Sequence, residues 1–229
     1  MQQRNTTLLL FFLLLLSITV GYTIIIVNDV FYTIDTNVED MLASWSSPIL
    51  ERVMEGITFL AYTKMLALLS AVALIWLLIK KLYIQIIFFL LLMGGGVILT
   101  LVMKLTIERD RPDEITYIDF WGFGNNIISY SYPSGHAVKG FLFFGFLIYL
   151  IHRKMNSKGL EYSLTVFFVT LIVLIGIGQI LLNRHYVSDV LGGYLIAITW
   201  FMFCFIILRS NKIRKSKVFF FDRKTFKGE

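Results

Sequence analysis

The chain has 229 residues, of which 57% are hydrophobic, 16% aromatic and 16% charged, with a formal net charge of +6. That balance excludes a soluble domain, because several apolar runs reach the roughly 20 residues that a helix needs to cross hydrocarbon. The length suits a single all-α domain over 1–229, a bundle of about six transmembrane helices, and leaves no room for a second domain.

Spans are predicted at Thr7–Val27, Ile57–Ile79, Tyr83–Lys104, Ala137–Ile151, Tyr162–Leu182 and Val190–Leu208. The first follows a single Arg4 and lacks a small-residue cleavage motif, so it reads as a retained helix and not a removed signal peptide. Between the first two spans, Asp29, Asp35, Glu39, Asp40 and Glu51 face one base, Arg52. There Ser46–Glu55 is expected to form an interfacial helix, with Trp45, Ile49, Leu50 and Met54 as its apolar stripe. Gly94, Gly95 and Gly96 predict close helix approach in the third span. Tyr117, Trp121, Tyr130 and Tyr132 are expected as anchors at headgroup level. Cys204 is the one cysteine, which excludes an intramolecular disulfide and leaves it a small apolar packing role.

Basic residues gather in Lys80–Lys81, in Arg153, Lys154 and Lys158, and in a tail of eight from Arg209 onward. With Arg4 these make fourteen of the 21 Lys and Arg. The positive-inside bias puts both termini and these loops in the cytoplasm, and bases confined to loop ends argue against a nucleic-acid partner. The segment Lys212–Lys217 is basic enough to lie against anionic lipid. Lys104, Arg111, Lys139 and Arg184 fall on the opposite side, which places a functional site at the extracellular face.

Three short pieces carry chemistry. Lys104 and Arg111 are two helical turns apart, so both face one point if the helix continues through them, with Pro112 limiting its length. A cation pair at a membrane boundary also fits simple snorkelling. Pro133-Ser134-Gly135-His136 opens the fourth span, so its amides lie at a helix N-terminus and favour an anion. Gly135 admits close backbone approach and Ser134 adds a hydroxyl, although Ser134 equally suits a plain N-cap. His185 and Asp189 are spaced i, i+4, and a carboxylate on one imidazole nitrogen leaves the other as an attacking lone pair. No third histidine or further carboxylates cluster with them, so a metal is not expected, and His152 reads as ordinary surface.

In order and spacing, Lys104-x6-Arg111-Pro112, Pro133-Ser134-Gly135-His136 and His185-x3-Asp189 together resemble the type-2 phosphatidic acid phosphatase family of integral membrane lipid phosphatases. The resemblance covers about residues 104–189. It implies a reaction without metal or cofactor in which His185 attacks phosphorus to form a phosphohistidine and Asp189 orients it. His136 would protonate the leaving oxygen and later activate water. Lys104, Arg111, Ser134 and the Gly135 amide would hold the phosphate oxygens. The implied substrates are phospholipid or isoprenoid lipid phosphates: undecaprenyl diphosphate, phosphatidylglycerophosphate or phosphatidic acid. They would enter laterally, between helices, at the outer leaflet, and the small size and short loops point to a bacterial plasma membrane.

One motif departs from the family. Where its third piece begins Ser-Arg, this chain has Gly178-Gln179, and Gln179 donates only a neutral hydrogen bond in place of a phosphate-binding arginine. Losing one charge-assisted contact removes roughly 2–4 kcal/mol of transition-state stabilisation. Another cation, Lys139, Arg184 or Arg109, takes its place; or the enzyme is slow or specialised; or the chain is a weakly active or inert lipid-phosphate binder. Transfer of the phosphoryl group to a hydroxyl other than water is a further alternative within the same chemistry.

Overall fold

The computed structural model describes residues 2–112, 117 and 128–209. Trp121, the tail beyond 209 and the Arg4 side chain lie outside the described residues. The chain folds as α1 Gln2–Val27, α2 Tyr32–Trp45, α3 Pro48–Phe59, α4 Thr63–Ile79, α5 Tyr83–Ile107, α6 Gly135–Lys154, α7 Lys158–Leu181 and α8 Val187–Arg209. Among the described residues the only other pairing is an isolated bridge between Tyr117 and Ile128. Helices are the solution hydrocarbon demands, because each backbone N–H and C=O must find its partner within the segment. Five of them are long and apolar enough to cross a membrane, and α3 with α4, bent by 41°, makes a sixth if the pair is one broken span.

The second span therefore departs from the single helix expected at Ile57–Ile79. It starts at Pro48, behind a Ser47 N-cap whose Oγ accepts from the Leu50 amide at 3.3 Å, and breaks at Leu60–Tyr62. Tertiary contacts explain the break: Ala61 is fully buried against Gly140, and Tyr62 turns its ring edge-on to His136 at 5.0 Å. The expected interfacial stripe divides accordingly. Trp45 and Ile49 are exposed, whereas Met54 turns inward with Thr58 onto Gly178 of α7.

The core is aromatic, centred on Phe88 and Phe89 of α5 against Phe146 of α6 at 5.8 and 4.8 Å between ring centres. Gly95 and Gly96 do permit close approach: a Cβ would come within 2.1 Å of the Trp200 ring and 2.2 Å of Leu142. Gly94 instead faces open space. Cys204 is buried, as its packing role requires. Tyr132 is a correction, since it is fully buried, pairs with Thr23 of α1 at 2.9 Å and lies against Gly192, and so anchors helices and not headgroups. Tyr117 is exposed and Tyr130 is half-buried.

Candidate active site

Four helix ends meet at one end of the bundle: the C-termini of α5 and α7 and the N-termini of α6 and α8. Lys80, Lys81, Arg153, Lys154 and Lys158 belong to the connections at the other end.

Helix α5 does not run on to Arg111. It stops at Ile107 because Glu108 takes a left-handed conformation, φ 51°, and its amide returns to the Lys104 carbonyl at 3.1 Å. Lys104 and Arg111 still converge, by a different route. Lys104 is buried and its Nζ donates to the carbonyls of Tyr130 and, at 3.2 Å, Ser131. Arg111 lies in the segment beyond the helix and donates to the Ser129 carbonyl at 2.5 Å, the Ser129 hydroxyl at 2.9 Å and the Arg184 carbonyl at 3.0 Å. Both cations thus brace the irregular stretch Ser129–Ser131 that leads into the next motif.

Ser134 is the N-cap of α6, accepting from the Ala137 amide at 3.4 Å, while its own amide donates to the Asp189 carbonyl at 3.1 Å. A Cβ on Gly135 would touch Lys104 Cε and Lys139 Cε, each at 3.9 Å, so both lysine side chains pass beside the first residue of the helix. The Nε2 of His136 is buried and finds no hydrogen-bond partner among the described residues. Lys139 Nζ donates to Thr63 at 2.7 Å.

His185 and Asp189 do not share a helix. Asn183, at φ 54°, reverses the chain after α7, and the Arg184 and His185 amides both return to the Gln179 carbonyl, at 3.0 and 3.2 Å. Asp189 lies in the first turn of α8, where its Oδ2 accepts the Tyr186 amide at 3.0 Å. The His185 Nδ1 is 3.7 Å from that oxygen, and the Ser131 hydroxyl lies to one side of the pair, donating to Asp189 Oδ2 and standing 3.4 Å from Nδ1. A hydroxyl has one proton, and Asp189 takes it, so toward His185 Ser131 acts as acceptor. That assigns the imidazole proton to Nδ1 and leaves the Nε2 lone pair free. Burial, reinforced by the nearby Lys104 and Arg111 charges, pulls the His185 pKa down to about 4 against the opposing pull of Asp189, so the ring is neutral at neutral pH.

The three candidate substitutes for the missing arginine divide. Arg109 is committed elsewhere: it donates to Asp189 at 2.6 Å and to Asp35 at 2.8 Å, which makes it a counter-ion and removes it from the list of spare cations. Those two carboxylates raise its pKa although burial opposes its charge. Arg184 keeps one guanidinium nitrogen buried without a partner among the described residues, its other nitrogen 3.7 Å from Glu55 and its centre 5.8 Å from the Tyr62 ring. Gln179 is fully buried, and neither of its amide atoms has a partner among the described residues. Ser131, Asp35 and Tyr62 also belong to this region and stand outside every motif, and Ser188 fills an unspecified position of His185-x3-Asp189. A polar residue two positions before Pro133 was the one available cue for Ser131, and the others have none in the local sequence.

A paired imidazole and carboxylate beside an N-terminal Ser-Gly turn and two cations, all set at one end of a membrane bundle, define a class of integral membrane enzymes that handle phosphate esters. The chain belongs to the PAP2 superfamily, whose family model matches residues 85–213. It is 28% identical to phosphatidylglycerophosphatase B of Bacillus subtilis (strain 168) over 155 residues, 67% of this chain and 73% of that protein. The crystal structure of the first transmembrane PAP2 type phosphatidylglycerolphosphate phosphatase from Bacillus subtilis superposes with a TM-score of 0.66 at 25% identity. That match covers 93% of this chain and 98% of the other.

Proposed function

We propose that this protein is a membrane lipid phosphatase that hydrolyses a lipid phosphate or diphosphate through a phosphohistidine on His185, without a metal ion. The observation that carries the reading is the His185–Ser131–Asp189 contact, which frees Nε2, at the bundle end that also holds Lys104, Arg111 and His136. The Nε2 lone pair attacks phosphorus as the bond to the lipid oxygen breaks, and a proton from His136 goes to that oxygen. His136 then takes a proton from water while the water oxygen attacks phosphorus and the P–N bond breaks. Inorganic phosphate leaves and His185 is restored.

Lys104, Arg111, the Ser134 hydroxyl and the Gly135 amide hold the oxygens that carry the developing charge. Arg184 supplies the charge that Gln179 lacks, a role supported by its buried nitrogen without a partner among the described residues. Lys139, tethered to Thr63, is the secondary candidate. The site lies at the outer leaflet of a bacterial plasma membrane with both termini cytoplasmic, a reading supported by the lysines and arginines of the opposite loops. Phosphatidylglycerophosphate leads the substrate panel because the similar Bacillus proteins carry that name. Undecaprenyl diphosphate and phosphatidic acid follow. A lipid-phosphate binder of low or no activity is the second reading, favoured by Gln179.

Phosphate release from these lipids in detergent, beside His185→Ala, tests the proposal. Turnover in the native chain and none in the variant supports it. Lipid binding with no turnover above the variant supports the binder.

A further inference from the structure

Asp35 lies in the first turn of α2, in a polar stretch outside every motif, yet it is only 2% exposed. Both of its oxygens are engaged. Oδ1 accepts the Ser188 amide at 3.0 Å, and Oδ2 accepts the Ser188 hydroxyl at 2.5 Å and Arg109 at 2.8 Å. The other terminal nitrogen of Arg109 donates to Asp189 at 2.6 Å and to the Ser188 hydroxyl at 2.8 Å, and its guanidinium lies 4.7 Å over the Tyr186 ring.

A fork that binds two carboxylates at once is specific to arginine. Shared in this way, Arg109 neutralises Asp189 less completely than it would if Asp189 were its sole partner. The carboxylate facing His185 therefore keeps more of its negative charge. Ser188 adds a geometric constraint, because Asp35 fixes the residue next to Asp189 through both its amide and its hydroxyl.

We propose that Asp35 is a positioning residue of the catalytic centre, acting through Arg109 and Ser188 to hold Asp189 against His185. The inference rests on the phosphatase reading above for its consequence in turnover. The charged and titratable groups facing His185 are Lys104 from α5, Arg111 from the following segment, His136 from α6 and Asp189 from α8. Those facing Asp35 are Arg109 and, from α1, Tyr22.

The chain has three histidines, so NMR of histidine-labelled protein in detergent resolves His185, assigned by its loss in His185→Ala. Asp35→Asn removes one negative charge and leaves Arg109 to Asp189, so the His185 titration should move down by about half a pH unit or more. Arg109→Gln removes the positive charge and should move it up. In turnover, Asp35→Asn should lower kcat about tenfold with KM changed less than about twofold, and Asp35→Glu, which keeps the charge, should recover part of that loss. An unmoved titration, or a kcat loss that only follows the folded fraction, overturns the proposal. If Asp35→Asn does not fold, Arg109→Gln decides: a His185 titration equal to that of the native chain overturns it. Absent turnover in the native chain defeats the phosphatase reading alone, since the titration reports the positioning role without turnover.

Discussion

The Nδ1 of His185 stands 3.7 Å from Asp189 Oδ2, and the hydroxyl of Ser131 flanks the pair, donating to the carboxylate and lying 3.4 Å from Nδ1. The i, i+4 spacing implies a direct contact between the two. The structure adds a third member to the pair, a serine from before α6 that contacts both the histidine and the aspartate at the start of α8.

Ser131→Ala removes the nearer acceptor for the imidazole proton and leaves only the Asp189 oxygen, 3.7 Å away. It should lower kcat by about three- to tenfold with little change in KM. Asp189→Asn should cost more, about 100-fold, because it also removes the charge that stabilises the imidazolium character of the attacking ring. Steady-state kinetics on the two variants and their combination measures both. Equal effects of the two single variants would contradict this arrangement.

Arg184→Ala should reduce kcat by about 30- to 1000-fold, the range for one charge-assisted contact to phosphate. If Arg184 supplies the charge as proposed, Gln179→Arg in the native background should change kcat by less than about threefold. In the Arg184→Ala background the same substitution should recover at least about tenfold. Phosphate release by the four proteins tests this, and a double variant no faster than Arg184→Ala would remove Arg184 from the phosphate site.

The Gly178-Gln179 pair is tied to α3. A Cβ at position 178 would lie 2.5 Å from Thr58 Cγ2, so the serine that the family pattern has there does not fit beside this threonine. Gly178→Ser alone should destabilise the protein by about 1–3 kcal/mol, and Thr58→Ala should recover most of that loss by removing the clashing methyl. Thermal unfolding in detergent of the single and double variants provides the measurement.

The spans were legible because long apolar runs admit one structure in hydrocarbon. Helix α2 was not, since its Thr, Asp and Asn residues read as a loop and its docking depends on Asp35 meeting Ser188 and Arg109 far along the chain. The break at Leu60–Tyr62 carries no Pro or Gly, and its cause lies in Gly140 and His136 of another helix. Within the site, the residue types and their convergence were legible from the motifs. The extension of α5 through Arg111 failed because Glu108 turns left-handed. The reading of Arg109 as a spare cation failed because nothing local to it announces its two carboxylate partners.

His185 titrates at about 4 in the folded protein, below the unfolded value of about 6.5. Between these values the unfolded chain binds a proton that the folded one does not, so stability is full above about pH 6.5 and falls as the pH drops toward 4. The contribution is on the order of 3 kcal/mol. The unfolding midpoint should therefore drop between about pH 6.5 and pH 4 in the native chain and drop less in His185→Gln.

The phosphohistidine is tested most directly by rapid acid-free quenching with a radiolabelled aryl phosphate, whose leaving oxygen needs no proton. In the proposed cycle His136 serves both steps, and this substrate bypasses the first, so His136→Ala should accumulate an acid-labile, base-stable phosphoryl group on the protein. His185→Ala should carry none. Label retained in His185→Ala, or native turnover of this substrate with no trapped label in His136→Ala, would contradict covalent catalysis by His185.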